Sequence, residues 1–290
     1  MTRIIDNLAQ VAHSYDALFV DLWGCLHNGV EPFKDAVVAL QTYRASGGKV
    51  LLLTNSPRPR ASVKRQLERI GVPTDTYDEI ATSGDSAQIA MAAGMVGRKV
   101  YHLGPEHDLS FFEDENGPIN VERVPLDQAE GIVCTGLFDD LTETPDDYRL
   151  TILDGKTRGL KLLCANPDIS VDVGDKRIFC AGAIAQAYTE AGGTSLYFGK
   201  PHSPIYQLAY ARLAGISARR IDNDRILCIG DGINTDIRGG VAEDLDTLFI
   251  TGGLAANEIH GIDGKPDETK LAEFIKSNKL SPTFTIGHLR

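Results

Sequence analysis

Near the amino terminus, the run "LFVDLWGCLHNG" (18–29) ends an apolar segment on Asp21 and then breaks into small and turn-forming residues. A carboxylate delivered by a buried strand to the start of a turn can attack phosphorus in line, giving an aspartyl-phosphate. Three further polar groups end apolar runs in the same way. Thr54 and Asn55 close "KVLLLTN", offering a hydroxyl and an amide to phosphoryl oxygens ahead of a helix that starts after Pro57 and Pro59. Lys200 follows "TSLYFG" and supplies a compact positive charge for phosphoryl oxygens and for the nucleophile. The stretch "GDGINTD" (230–236) follows "RILCI" and carries Asp231 and Asp236 in a glycine-containing turn. Hard oxygen donors of that kind suit Mg²⁺, which takes one or two protein carboxylates and keeps several waters. Singly, each of these residues is more often a turn former or helix cap than a catalyst. Their complementary chemistry, at the ends of strands expected to share one sheet, points to a phosphoryl site.

The elements that must position them alternate. "ALFVD" (17–21), "KVLLLTN" (49–55) and "RILCIGD" (225–231) are continuous apolar runs of the kind buried on both faces of a parallel sheet. "KDAVVALQTYRASGG" sets Ala36, Val37, Leu40 and Tyr43 at helical spacing and stops at Gly47–Gly48. "RASVKRQLERIGV" is an amphipathic helix with Val63, Leu67 and Ile70 on one face, closed by Gly71. This rhythm predicts an α/β fold with a Rossmann-like, doubly wound parallel sheet, in which ligands sit outside the carboxyl ends of the strands. Between about residues 82 and 190 the texture changes to polar, turn-rich stretches such as "EHDLSFFEDENGPIN" among further strands such as "GIVCTGLF" and "GLKLLCANPD". The expectation is a core made of 1–81 and 191–290 with an inserted α/β cap domain at 82–190.

Composition limits the function classes. The 290 residues are 42% hydrophobic and 24% charged, ordinary for a globular chain with a real core. Acidic residues outnumber basic ones by 40 to 29, a net charge of −11 that argues against a nucleic-acid surface. Five scattered cysteines without a CxxC spacing, four in apolar strand-like contexts, are expected to be reduced, as in a cytoplasmic protein. The first 20 residues hold Asp6, His13 and Asp16 and no signal-like apolar region, and no apolar run approaches the ~20 residues of a membrane span. A soluble protein with no membrane partner is expected; monomer and homodimer both remain open.

"VDLWG", "LLTNS", "FGKP" and "GDGINTD", in that order, resemble the four motifs of the haloacid dehalogenase superfamily. The insert between the second and third motifs, with "ANPD" (165–168) and the "AGAIAQA" run, is similar to the C2-type cap of class IIA, the NagD-like and nitrophenylphosphatase-like subfamily. The resemblance spans about Asp16 to Gly252. It implies a Mg²⁺-dependent phosphatase with Asp21 as nucleophile, acting on a small phosphorylated metabolite such as a sugar phosphate or a nucleotide. It implies Asp21, Asp231 and the main-chain carbonyl of Trp23 as metal ligands. Asp236 would support the metal or orient Lys200, and Thr54, Asn55 and Lys200 would hold the phosphoryl group. Asn166, Asp168 and the turn at Gly182 would belong to a substrate-selecting cap loop.

One motif residue departs from that pattern. The family's phosphatases carry an acid–base aspartate where this chain has Trp23, and an indole exchanges no proton near neutral pH. General acid–base help is worth ~10²–10⁴-fold, roughly 3–5 kcal/mol of barrier. Three readings follow: a phosphatase for acidic leaving groups, a replacement by His27 or His202, or a catalytically silent binder of phosphorylated ligands.

Overall fold

A computed structural model describes residues 2–114, 117–173, 176–260 and 266–290, so residues 115–116 of the polar, turn-rich stretch lie outside it. The chain divides into two compact units: Met1–Thr54 with Lys64–Ala81 and Tyr206–Arg290, and Asn55–Val63 with Thr82–Ile205.

The first unit is built on a seven-stranded sheet. Its order is Arg3–Ile4, Phe284–Ile286, Asp246–Ile250, Ile226–Gly230, Ala17–Val20, Lys49–Thr54, Glu79–Thr82. The five neighbouring pairs from Arg3–Ile4 across to Lys49–Thr54 are all parallel. Every residue of Ala17–Val20 and of Ile226–Gly230 is buried, as continuous apolar runs in a doubly covered sheet should be. The helix Lys34–Ala45 buries Ala36, Val37, Leu40 and Tyr43, the face its spacing predicts. It ends where Gly47 turns to φ +99°, a conformation that costs glycine nothing. Toward the far edge, Phe249 stacks on Phe274 of the helix Glu268–Asn278 with ring centroids 5.9 Å apart, in a cluster with Ile233, Ile237, Ile259 and Leu271.

The second unit has its own parallel sheet of five strands, in the order Thr194–Tyr197, Lys161–Cys164, Gly131–Cys134, Lys99–Leu103, Glu122–Arg123. Successive side chains of a strand point to opposite faces. Ile132, Cys134, Leu162 and Cys164 accordingly pack with Ile152 and with Ala181, Ile184 and Tyr188 of the helix Ala181–Glu190. Val133 and Leu163 instead join Ala87, Ala90 and Met91 of the helix Ser83–Ala92. Each fully buried aliphatic or aromatic side chain contributes about 1.5–3 kcal/mol, so both helix layers are held by apolar burial.

One expectation needs correcting. The strand Thr194–Tyr197 does not extend the first sheet; it pairs with Lys161–Cys164 at the edge of the second. It is short and only partly buried, so its pattern carried no signal for either sheet. The four polar strand ends therefore do not belong to one sheet: Asp21 and Asp231 follow strands of the first, Thr54 ends another of them, and Lys200 comes after a strand of the second. In the second compact unit, residues 55–63 and 191–205 accompany 82–190.

Candidate active site

The parallel pairing of Val20 with Ile229 brings Asp21 and Asp231 to adjacent strand ends. The Asp21 N–H donates to the Ile229 carbonyl at 2.9 Å, which locks that register one residue past the strand. Side-chain donor atoms of Asp21, Cys25 and Asp231 all lie within 4.8 Å of one another. These residues are 9%, 1% and 6% exposed, so water screens the two carboxylates little.

Two glycines shape the space around Asp231. A Cβ on Gly24 would lie 2.2 Å from Asp231 Oδ2, and one on Gly253 only 2.0 Å from the same oxygen. Gly24 also has φ +70°. The backbone thus closes on the carboxylate from two sides, and the Leu254 N–H donates to Oδ2 at 2.9 Å. A buried, oxygen-rich pair in a glycine cradle fits a small divalent cation.

Asp236 lies in the π-helical turn Ile233–Ile237 and is 2% exposed. Its Oδ2 accepts from the Gly232 N–H at 3.1 Å and from the Thr235 hydroxyl at 3.3 Å, so it braces the turn that carries Asp231. A Cβ on Gly230 would meet Asp236 Cγ at 2.0 Å, which leaves only glycine at that strand end. Thr54 is buried at the end of the strand next to Ala17–Val20.

The loop after Asp21 winds tightly. The Leu26 and His27 N–H groups donate to the Leu22 carbonyl at 2.8 and 3.1 Å, and the Gly24 N–H donates to the His27 carbonyl at 3.1 Å. The indole of Trp23 stands edge-on to the His27 ring, centroids 5.3 Å apart, and rests on Gly29, where a Cβ would lie 2.2 Å from Trp23 Cη2. His27 is 1% exposed, and its Nδ1 accepts from the Gly29 N–H at 3.0 Å. Burial pushes its pKa down to about 4, so it is neutral at neutral pH with its proton on Nε2. Of the other histidine considered, the ring of His202 stacks on Tyr197 at 4.8 Å, and burial lowers its pKa too.

The second unit gathers the remaining expected residues. The Lys200 N–H donates to Asn55 Oδ1 at 2.7 Å, and Asn55 Nδ2 donates to the Lys200 carbonyl at 3.1 Å and to Asp168 Oδ1 at 2.8 Å. An amide nitrogen has two hydrogens, and both are taken. The side chain of Asn55 therefore clamps the Lys200 backbone through its oxygen and one of those hydrogens. Lys200 is 2% exposed and precedes a cis peptide bond to Pro201. The Asp168 N–H donates to Asn166 Oδ1 at 3.0 Å, and a Cβ on Gly182 would lie 2.2 Å from the Pro167 carbonyl oxygen. Asn55, Asn166, Asp168, Gly182 and the Lys200 backbone thus share one polar cluster. Cys25 and the glycine cradle went unread in the sequence. The only available signal was a thiol four residues after Asp21, inside the turn.

Comparisons with known proteins place the chain in a family. Residues 18–117 match the haloacid dehalogenase-like hydrolase family, and residues 197–273 match a second HAD-hydrolase-like family. A haloacid dehalogenase-like hydrolase of Brucella suis 1330 superposes with a TM-score of 0.87 at 40% identity, covering 99% of this chain and 100% of that one. The chain belongs to the haloacid dehalogenase-like hydrolase family. Two further relatives are each 25% identical over 247 residues, 84% of this chain and 90% of theirs. They are the 5′-nucleotidase YutF of Bacillus subtilis and the acid sugar phosphatase of Staphylococcus saprophyticus. Among the described residues, no helix is long and apolar enough to cross a membrane.

Proposed function

We propose that this protein is a Mg²⁺-dependent phosphatase that hydrolyses a small phosphate monoester through an aspartyl-phosphate on Asp21. The observation carrying this reading is the meeting of the Asp21 and Asp231 carboxylates, 210 positions apart in the chain, in one buried glycine-walled pocket. Asp21, Asp231 and the Trp23 carbonyl would hold the cation, which when bound offsets the charge of the carboxylates and of the phosphoryl oxygens. Asp21 attacks phosphorus while the ester oxygen departs with the bonding electron pair. Water then cleaves the acyl phosphate, releasing inorganic phosphate and restoring the carboxylate. Lys200 supplies positive charge to the transferring phosphoryl group, Thr54 a hydroxyl, and Asn55 fixes the lysine's backbone. The second unit serves as a cap of the C2 type, with Asn166, Asp168 and Gly182 in its substrate loop.

Trp23 decides which esters react. His27 cannot make up for the missing acid, because it is enclosed, neutral and bonded through Nδ1 within its own loop. Without a proton from position 23 or from His27, acidic leaving groups are favoured. The relatives' names support a sugar phosphate or a nucleotide as the substrate class. The test is hydrolysis of p-nitrophenyl phosphate with Mg²⁺, expected in the native protein and abolished in Asp21→Asn. Tight binding of a phosphosugar without turnover of any ester would instead establish a silent binding protein.

A further inference from the structure

Cys25 differs in its surroundings from Cys134, Cys164 and Cys228. Cys134 and Cys164 lie within the apolar cluster of the second unit, and Cys228 in a fully buried strand. Cys25 is equally buried, but its sulfur shares a triangle with one oxygen each of Asp21 and Asp231, no side longer than 4.8 Å. The corners of any triangle of that size lie within about 2.8 Å of a common point, against ~2.3 Å for a Zn–S bond and ~2.0–2.2 Å for a zinc–carboxylate bond. Small side-chain adjustments close that gap. Magnesium prefers oxygen alone, whereas sulfur donors select softer cations such as Zn²⁺.

We propose that Cys25 makes this a mixed oxygen–sulfur site, one that takes a thiophilic divalent cation, Zn²⁺ or Cd²⁺, in competition with Mg²⁺. This rests on the reading of Asp21 and Asp231 as metal ligands. On binding, the S–H bond breaks and its proton goes to solvent as the sulfur–metal bond forms; no electron changes hands. The cation would occupy the nucleophile's own carboxylate, so zinc-class ions act as inhibitors of the site's Mg²⁺ chemistry.

The test uses the full chain stripped of metal with a chelator, then titrated separately with CdCl₂ and with MnCl₂ as an oxygen-preferring probe. The native protein should develop an ultraviolet sulfur-to-cadmium charge-transfer band that saturates at a single equivalent and is delayed by excess Mg²⁺. Cys25→Ser should lose the band and bind Cd²⁺ at least about tenfold more weakly, with Mn²⁺ affinity by calorimetry changed less than about threefold. If the serine variant does not fold by circular dichroism, Cys25→Ala carries the same comparison. Native protein that binds Mn²⁺ without a sulfur–cadmium band, or a variant that keeps the band, overturns the role of Cys25 alone. Native protein that binds neither ion overturns the metal reading of Asp21 and Asp231 itself.

Discussion

The glycine cradle around Asp231 can be tested from both sides. Gly24→Ala adds a Cβ that would stand 2.2 Å from Asp231 Oδ2, where ordinary contact begins at 3.4 Å, so the carboxylate must retreat by about 1 Å. Metal ligands tolerate only about ±0.2 Å of misplacement. The expected result is at least a tenfold loss of Mg²⁺ or Mn²⁺ affinity, about 1.4 kcal/mol. The same alanine sits at φ +70°, where an L side chain costs roughly 1–2 kcal/mol. Gly253→Ala pushes the same oxygen from 2.0 Å but has no left-handed backbone to strain.

The two variants therefore separate two costs. Calorimetric titration with Mn²⁺ should show both weakened alike. Thermal unfolding in chelator should show Gly24→Ala less stable than Gly253→Ala by roughly 1 kcal/mol, about 2–4 °C in Tm. If both variants bind Mn²⁺ as the native protein does, the carboxylate of Asp231 does not hold the metal. Equal stabilities without metal would show that the Gly24 backbone carries no left-handed strain.

Trp23→Asp should raise kcat/KM on alkyl phosphates by ~10²-fold or more relative to p-nitrophenyl phosphate, and an equal effect on both would remove position 23 from proton transfer. Asn55→Ala removes one hydrogen bond each from the Lys200 N–H, the Lys200 carbonyl and Asp168, and should cost roughly 2–4 kcal/mol in urea unfolding; a change under ~0.5 kcal/mol refutes the clamp. His102 is pushed down to about 4 by burial, with Arg123 adding to the effect. Its contribution is nil above the unfolded value near 6.5, then stability falls as pH drops and the unfolded chain protonates first, levelling below about 4 at a loss of at most roughly 3 kcal/mol. His102→Gln, which can still pair with the Thr135 hydroxyl, should flatten that acid limb; an unchanged slope of Tm against pH between 7 and 4 would refute the assignment.

Much of this was legible because burial on both faces leaves a plain trace in a sequence. The runs at 17–20 and 226–230 read as buried parallel strands, and the polar residue after each, Asp21 and Asp231, was the one their pairing brings together. The helix face of Ala36, Val37, Leu40 and Tyr43 was legible for the same reason. The strand Thr194–Tyr197 was not assignable, because four half-buried residues at a sheet edge carry no mark of the sheet they join. Asn55 showed its chemistry but not its partners, since hydrogen bonds to a residue 145 positions away depend on packing. Cys25 was hidden because a buried thiol looks alike in a core and beside two carboxylates.

Trp23 is the sole tryptophan in the chain, and it leans on the loop that links Asp21 to Cys25 and His27. The protein consequently carries its own optical probe at the spot where an ion or an ester would arrive. Excitation selective for indole reports on that loop and nothing else, so occupancy, exchange rates and competition between ions can be followed in unlabelled protein.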